Sequence, residues 1–221
     1  MSARRGRPPK LPAHLRRSVV LDAATRRFAA SGRAGTSIDD IASDAGVRKP
    51  AIYELFSSKN DLFRACVEHA VDALSDNFRV TNAETTDLEI PERTRRRIAA
   101  AFDYAEQHPH SFRLLVRAPY SWPDDDDDPE PGRQLRGRLV DVMAANYRRE
   151  SRAAGAPIDS AAEVLARLFF SMAEETIQLC LDDATWDRDA VVEFLAEFIE
   201  GGISAVRPPV WLALERARPS S

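Results

Sequence analysis

Cysteine is nearly absent from this chain of 221 residues. Cys66 and Cys180 stand far apart inside helical patterns, with no CxxC and no metal-type spacing. That excludes a disulfide scaffold and predicts buried, reduced thiols. No run approaches the roughly 18 apolar residues that span a membrane, and the basic start, Ser2 to Lys10, is not followed by an apolar signal core. A soluble cytoplasmic protein is the expectation. Period-two alternation is missing, so strands are not expected, and there is no internal repeat. No GxSxG, GxGxxG, Walker loop or HExxH occurs, and His14, His69, His108 and His110 have no obvious nucleophile beside them. The reading is therefore not an enzyme, with no cofactor and no metal. Lysine is scarce against abundant arginine: Lys10, Lys49 and Lys59 are the three, all in the first third.

What is present is a compact pattern in Thr36 to Lys59, TSIDDIASDAGVRKPAIYELFSSK. Ile38, Ile41, Ala42 and Ala45 form one apolar helical face, which Thr36 or Ser37 can cap. Gly46 tolerates the positive φ at which such a helix ends. Ala42 leaves room for a second helix to cross, and Val47, Ile52 and Leu55 pin that helix down. Pro50 falls in its first turn, where no intrahelical N–H is lost. Arg48, Lys49, Tyr53 and Glu54 remain outside. This is the spacing of a helix-turn-helix.

The segment resembles the DNA-binding domain of the TetR family of one-component transcriptional regulators. The likeness begins with VLDAATRRFAASG (Val20 to Gly32), where Val20, Ala24 and Phe28 would face the core, and continues through GTSIDDIASDAGV and KPAIYELFSSKNDLF. It is specific over about 45 residues and architectural beyond them. Arg48 departs from the small hydroxyl residue common at that position in the family, so the usual cap on the second helix is replaced by a cation. The resemblance implies double-stranded DNA as partner, with Thr36, Ser37, Val47, Arg48, Lys49, Pro50, Tyr53 and Lys59 at the contact.

Charge divides the chain in the same way. Residues 1–64 carry a net charge of +7 and the remainder −11, which together give −4. The arm before the first helix, SARRGRPPKLP, holds Arg5-Gly6-Arg7-Pro8, which resembles an AT-hook whose two arginines, Arg5 and Arg7, follow a narrow minor groove. The domain reading is a basic arm at 1–13, a helix-turn-helix domain at 14–64, a helical ligand-binding and dimerisation domain at 65–206 and a tail at 207–221.

The body reads as successive helices at 60–78, 93–107, 133–153, 160–181 and 188–206, with a short one near HPHSFRLLVR. The stretch TNAETTDLEIP reads as a polar break. Asp124 to Asp128 reads as a solvated, self-repelling loop, because adjacent aspartates lack the ligand spacing of a calcium loop. The tail is ambiguous: Val210, Trp211, Leu212 and Leu214 suit docking, whereas Pro208 and Pro209 suit fraying.

The helices at 160–181 and 188–206 are apolar around more than one face. Either both are central core, or, as the resemblance implies, they pair with the same helices of a second copy to form a homodimer. Gly201 and Gly202 would allow close approach or mark the helix end. Phe102, Phe112, Leu115, Tyr120, Trp122, Met143, Tyr147, Phe169 and Met172 supply aromatic and apolar surface for a small-molecule effector, with Tyr104, Tyr147 and Glu175 to orient a polar group; filling the core is the alternative for each. The expected whole is an all-α, ligand-responsive DNA-binding regulator, a repressor on a palindromic operator. The competing reading is an enzyme or a protein-binding helical module that has kept the head as scaffold.

Overall fold

The computed structural model describes residues 12–117 and 130–216. Among them the fold is all-α: α1 (Ala13–Ser31), α2 (Ile38–Asp44), α3 (Lys49–Tyr53), α4 (Lys59–Glu84), α5 (Ile90–Gln107), α6 (Pro109–Arg117), α7 (Glu130–Ala153), α8 (Ser160–Asp182), α9 (Arg188–Ala205) and α10 (Pro208–Arg216). The chain divides into two compact units between Cys66 and Val67. Arg5, Arg7, Tyr120, Trp122 and the aspartate run lie outside the described residues.

In the first unit, Val20, Ala24 and Phe28 of α1 are buried with Ile41, Ile52, Leu62 and Phe63. The Phe28 and Phe63 rings meet edge to face at 5.1 Å and 87°, the arrangement that sets a positive ring edge on a negative ring face. Gly32 ends α1 at φ 68, and its N–H donates to the Phe28 carbonyl. Gly46 has φ 63 after α2, and Val47 N–H donates back to the Ala42 carbonyl at 3.0 Å. That reversal delivers α3 across α2, with Pro50 in its first turn. Cys66 is buried, and burial pushes its thiol up to about 12, so it stays protonated and inert.

In the second unit α5 runs along α9 and α7 along α8, while α6 and α10 lie against α8. Ile98, Phe102 and Ala105 of α5 meet Val192, Leu195 and Ile199 of α9, with Phe112, Phe169 and Ile177 in the same cluster. Ala144, Ala162 and Ala166 are fully buried between α7 and α8, small enough to bring those two axes close.

One stretch differs from the sequence reading, and in a second the structure decides between the two alternatives left open. Helix α4 runs on to Glu84, through residues that read as a polar break. Phe78, Asn82 and Thr86, four apart, line one wall of a cavity, and the Thr85 and Thr86 hydroxyls donate to the carbonyls of Thr81 and Asn82 at 2.8 Å. The Thr86 hydroxyl thus satisfies the Asn82 carbonyl where the helix ends, the Thr81 carbonyl accepts from the Thr85 N–H as well as its hydroxyl, and polarity here is no sign of a loop. The tail also folds. Pro208 and Pro209 open α10, where a missing N–H costs nothing. The Glu215 carboxylate accepts from the backbone N–H groups of Asp159, Ser160 and Ala161 at 2.9–3.1 Å, capping α8 from 54 residues away in sequence.

Candidate functional site

The outward surface of the first unit is built on α2, the turn and α3. Ser37 caps α2 by accepting from Asp40 N–H at 3.1 Å. Thr36, in contrast, is buried, and its hydroxyl donates to the Gly32 and Arg27 carbonyls at 2.7 and 3.2 Å. Its carbonyl accepts from Lys59 Nζ at 3.1 Å. Thr36 and half-buried Lys59 therefore tie the end of α1 to the start of α4, a joint that the sequence pattern did not disclose. Val47 is half-buried in the turn, while Arg48, Lys49, Pro50 and Tyr53 are exposed.

The cations on this surface differ in how they are held. Arg27 makes a bidentate pair with Asp44, fixing α1 against α2. Lys49 Nζ lies 2.9 Å from Asp39 Oδ2, and that hydrogen bond with its charge raises the lysine above its usual range. Arg48 sits at the N-cap of α3 and makes no side-chain capping bond. An exposed pair such as Lys49 with Asp39 contributes little to stability and exchanges easily for another anion.

The second unit contains a cavity of about 520 Å³. Phe78 and Asn82 of α4, Ile98 and Ala101 of α5, Met143 and Tyr147 of α7, Leu165, Phe169 and Phe170 of α8, and Ile199 and Ile203 of α9 form most of its wall. Tyr147 and Phe169 meet edge to face at 5.7 Å, and burial pushes the Tyr147 phenol above its ordinary range. Volume and lining suit a largely apolar small molecule. Of the residues expected from the sequence, Met143, Tyr147 and Phe169 line it. Phe102 and Phe112 instead belong to the solid core, because their helical faces meet α8 and α9 directly. Met172 packs against that core, Leu115 is half-buried on α6, and Glu175 is exposed. Buried Tyr104 sets its ring 4.8 Å from that of His108, and burial pushes its phenol up to about 12.

The charged part of the wall went unread in the sequence. Arg97 donates to Glu150 at 3.1 and 2.6 Å and to the Thr85 hydroxyl at 3.0 Å. Arg93 lies 3.4 Å from the same carboxylate and donates to the Thr86 and Leu88 carbonyls. Burial alone would raise the Glu150 pKa, but hydrogen bonding and charge from Arg97, then Arg93 and Asn146, outweigh it and hold that carboxyl below its usual range. The available signal was Arg93 and Arg97 at i and i+4, indistinguishable from a solvated helix face.

Beyond the cavity, α8 and α9 each keep one apolar face outside. Val164, Leu168 and Leu179 of α8 and Phe194 and Phe198 of α9 are exposed, and the rings of Phe194 and Phe198 stack at 6.0 Å and 19°. Leu165, Phe169 and Ile177, with Val192, Leu195 and Ile199, occupy the inward faces. Gly201 and Gly202 lie within α9, exposed, with no atom near where a side chain would begin. Among the described residues no cluster of His, Cys, Asp or Glu is arranged to hold a metal ion.

Comparison with known proteins adds to this geometry. The family model described as bacterial regulatory proteins, tetR family, matches residues 20–66. The HTH-type transcriptional activator FasR of Mycolicibacterium smegmatis is 30% identical over 197 residues, 89% of this chain and 87% of that protein. The HTH-type transcriptional repressor SCO4008 of Streptomyces coelicolor is 32% identical over 96 residues, 43% of this chain and 45% of that protein. Among solved structures, a TetR-like transcriptional regulator from Rhodococcus sp. RHA1 superposes with a TM-score of 0.66 at 24% identity, covering 89% of this chain and 100% of that one. The transcriptional regulator FadR from Bacillus subtilis, in complex with stearoyl-CoA, gives 0.67 at 14% identity, covering 86% and 99%. Both share the fold.

Proposed function

Because the chain belongs to the TetR family of bacterial transcriptional regulators, we propose that it acts as a homodimer on a palindromic operator and answers to an apolar or amphipathic effector in the body cavity. It is a DNA-binding regulator and not an enzyme. The observation that carries the finer reading is the arrangement of α8 and α9. One side of each helix lines the cavity, and another presents bare phenylalanine and leucine to solvent. An apolar surface of that kind is stable only when covered, and a second copy covers it with the matching surface. Gly201 and Gly202 support the same reading: mid-helix glycine costs about 1 kcal/mol relative to alanine, and nothing within the protomer requires it.

A ligand whose tail is a hydrocarbon chain suits the cavity, and the stearoyl-CoA bound by the FadR of B. subtilis supports that class. The effector shifts DNA affinity only through different affinities for two conformations. On the DNA side, Ser37, Arg48, Lys49, Pro50 and Tyr53 form the exposed contact surface, with Arg48 reading a base and Lys59 and Tyr53 facing phosphates. Thr36 and Val47 hold that surface in place, and Arg5 and Arg7 of the arm reach the adjacent minor groove. Work on the chromosome places the protein in the cytoplasm. Among the described residues no helix is long and apolar enough to cross a membrane.

Selection of bound fragments from random DNA by the purified protein tests this. The expected product is a palindrome or near-palindrome with half-sites roughly 34–36 Å apart or a multiple of that distance; unselective recovery would overturn it. On the selected site, Arg48→Ala is expected to change preference among base variants. Lys59→Ala should weaken all sequences alike and lower the log K against log salt slope by about 0.9 for each phosphate left without its cation. Repression is the proposed sign of control, as in the name of SCO4008 and unlike that of FasR. Transcription in vitro from a promoter overlapping the selected site should fall on adding protein and recover with effector.

A further inference from the structure

The charge in the cavity wall specifies more about the effector than its apolar character. The charged side chains lining the cavity among the described residues are Arg93, Arg97 and Glu150, two guanidiniums against one carboxylate. The side chains of Arg93, Arg97 and Glu150 are 18%, 17% and 20% exposed, so solvent screens the surplus positive charge poorly. Arg97 is fully engaged with Glu150 and Thr85, whereas the Nη1 of Arg93 approaches Glu150 only to 3.4 Å and makes no hydrogen bond there. Arg93 thus lines the cavity with its Nε and Nη2 bonded to backbone carbonyls and its Nη1 in ion-pair range of Glu150 without a hydrogen bond to it. We propose that the effector is an amphiphile with a carboxylate attached directly to its hydrocarbon tail, seated on Arg93 and Arg97. This rests on the reading of the cavity as the effector site.

Depth decides between two sources of negative charge. Thr86, Ile90 at the start of α5, Ala153 at the end of α7 and Ala154 just after it are lining residues that lie exposed, and so mark a rim. Arg93 and Glu150 stand about one helical turn inward from them, and Arg97 two. A carboxylate on the end of a tail that fills the apolar interior reaches this level. The phosphates of an acyl-CoA, separated from the acyl chain by the pantetheine arm, lie outside it. One monoanion also brings the cluster to neutrality, and a carboxylate matches the guanidinium fork. The same arginines hold the end of α4 through the Thr85 hydroxyl and the Thr86 and Leu88 carbonyls, so the head group arrives where that helix stops.

The test is displacement of an apolar fluorescent dye from the purified 221-residue protein by myristate, 1-tetradecanol and myristoyl-CoA, below their micelle thresholds. The wild-type protein is expected to bind myristate about ten-fold more tightly than the alcohol, the scale of a charge-assisted, partly desolvated hydrogen bond. Glu150→Gln removes the competing carboxylate and should tighten myristate several-fold while leaving the alcohol unchanged, a gain that misfolding cannot imitate. Arg93→Gln combined with Arg97→Gln removes both guanidiniums and should abolish the preference for the acid. Equal affinity for acid and alcohol, retained preference in the double variant, or tighter binding of myristoyl-CoA than of myristate overturns the carboxylate assignment alone. Failure of all three ligands to displace the dye overturns the effector-cavity reading itself.

Discussion

Changing Phe194 and Phe198 together to aspartate is expected to leave a folded monomer whose affinity for a palindromic operator is lower by two orders of magnitude or more. Within the protomer these rings are 67% and 58% exposed, so they support little of the core, and helical content and cooperative unfolding should persist. Across a two-fold axis the same pair appears twice. Covering a phenylalanine side chain contributes about 1.5–3 kcal/mol, and four buried carboxylates in its place would each lack a partner. Losing the linkage between two heads removes an effective-concentration advantage of about 10²–10⁴. Sedimentation of the variant and its binding to a full site and to a half-site measure both parts. A variant that stays dimeric and binds the full site normally would move the interface away from α8 and α9.

The head was legible in the sequence because its determinants are local. Gly46, Pro50 and the apolar residues from Ile38 to Leu55 lie close in sequence to the residues they pack against, and the structure buries Ile38, Ile41, Ala42 and Ile52 accordingly. The body was legible as helices but not as a site. Phe102 and Phe169 have the same chemistry and periodicity, yet one fills the core and the other borders a cavity. The difference lies in how far apart neighbouring helices stand, which no window of sequence encodes. Charged residues were silent for the same reason. Arg93 and Arg97 sit in a run that reads as a solvated face, and their carboxylate partner is 53 residues from Arg97. Glu215 caps a helix whose start carries no cap of its own, and the prolines before it read as an end when they begin a helix.

The adjacent glutamates of α8 show the same limit at the scale of one residue, and they carry the second large expected effect. Helical phase sets Glu174 inward with Phe170 and Ile177, and Glu175 outward on the face of Leu168 and Leu179. Glu174 is 8% exposed and receives both terminal nitrogens of Arg136, whose guanidinium carbon lies 4.9 Å from the centre of the Phe170 ring. Glu174→Ala would leave that arginine's charge only partly hydrated and without its partner. Removing one member of a buried pair typically costs about 3–5 kcal/mol. Because Arg136 keeps 29% of its side-chain exposure, the expected loss is nearer the lower end, about 3 kcal/mol. Replacing both partners, Arg136→Met with Glu174→Leu, restores apolar packing between α7 and α8 and should cost about 1 kcal/mol or less, because the desolvation of two charges disappears with their attraction. Urea unfolding of the three proteins at one fixed protomer concentration measures both quantities, since the stability of the proposed homodimer would depend on concentration. Equal losses in the single and double variants would assign the contribution of Glu174 to the shape of its side chain instead of its charge.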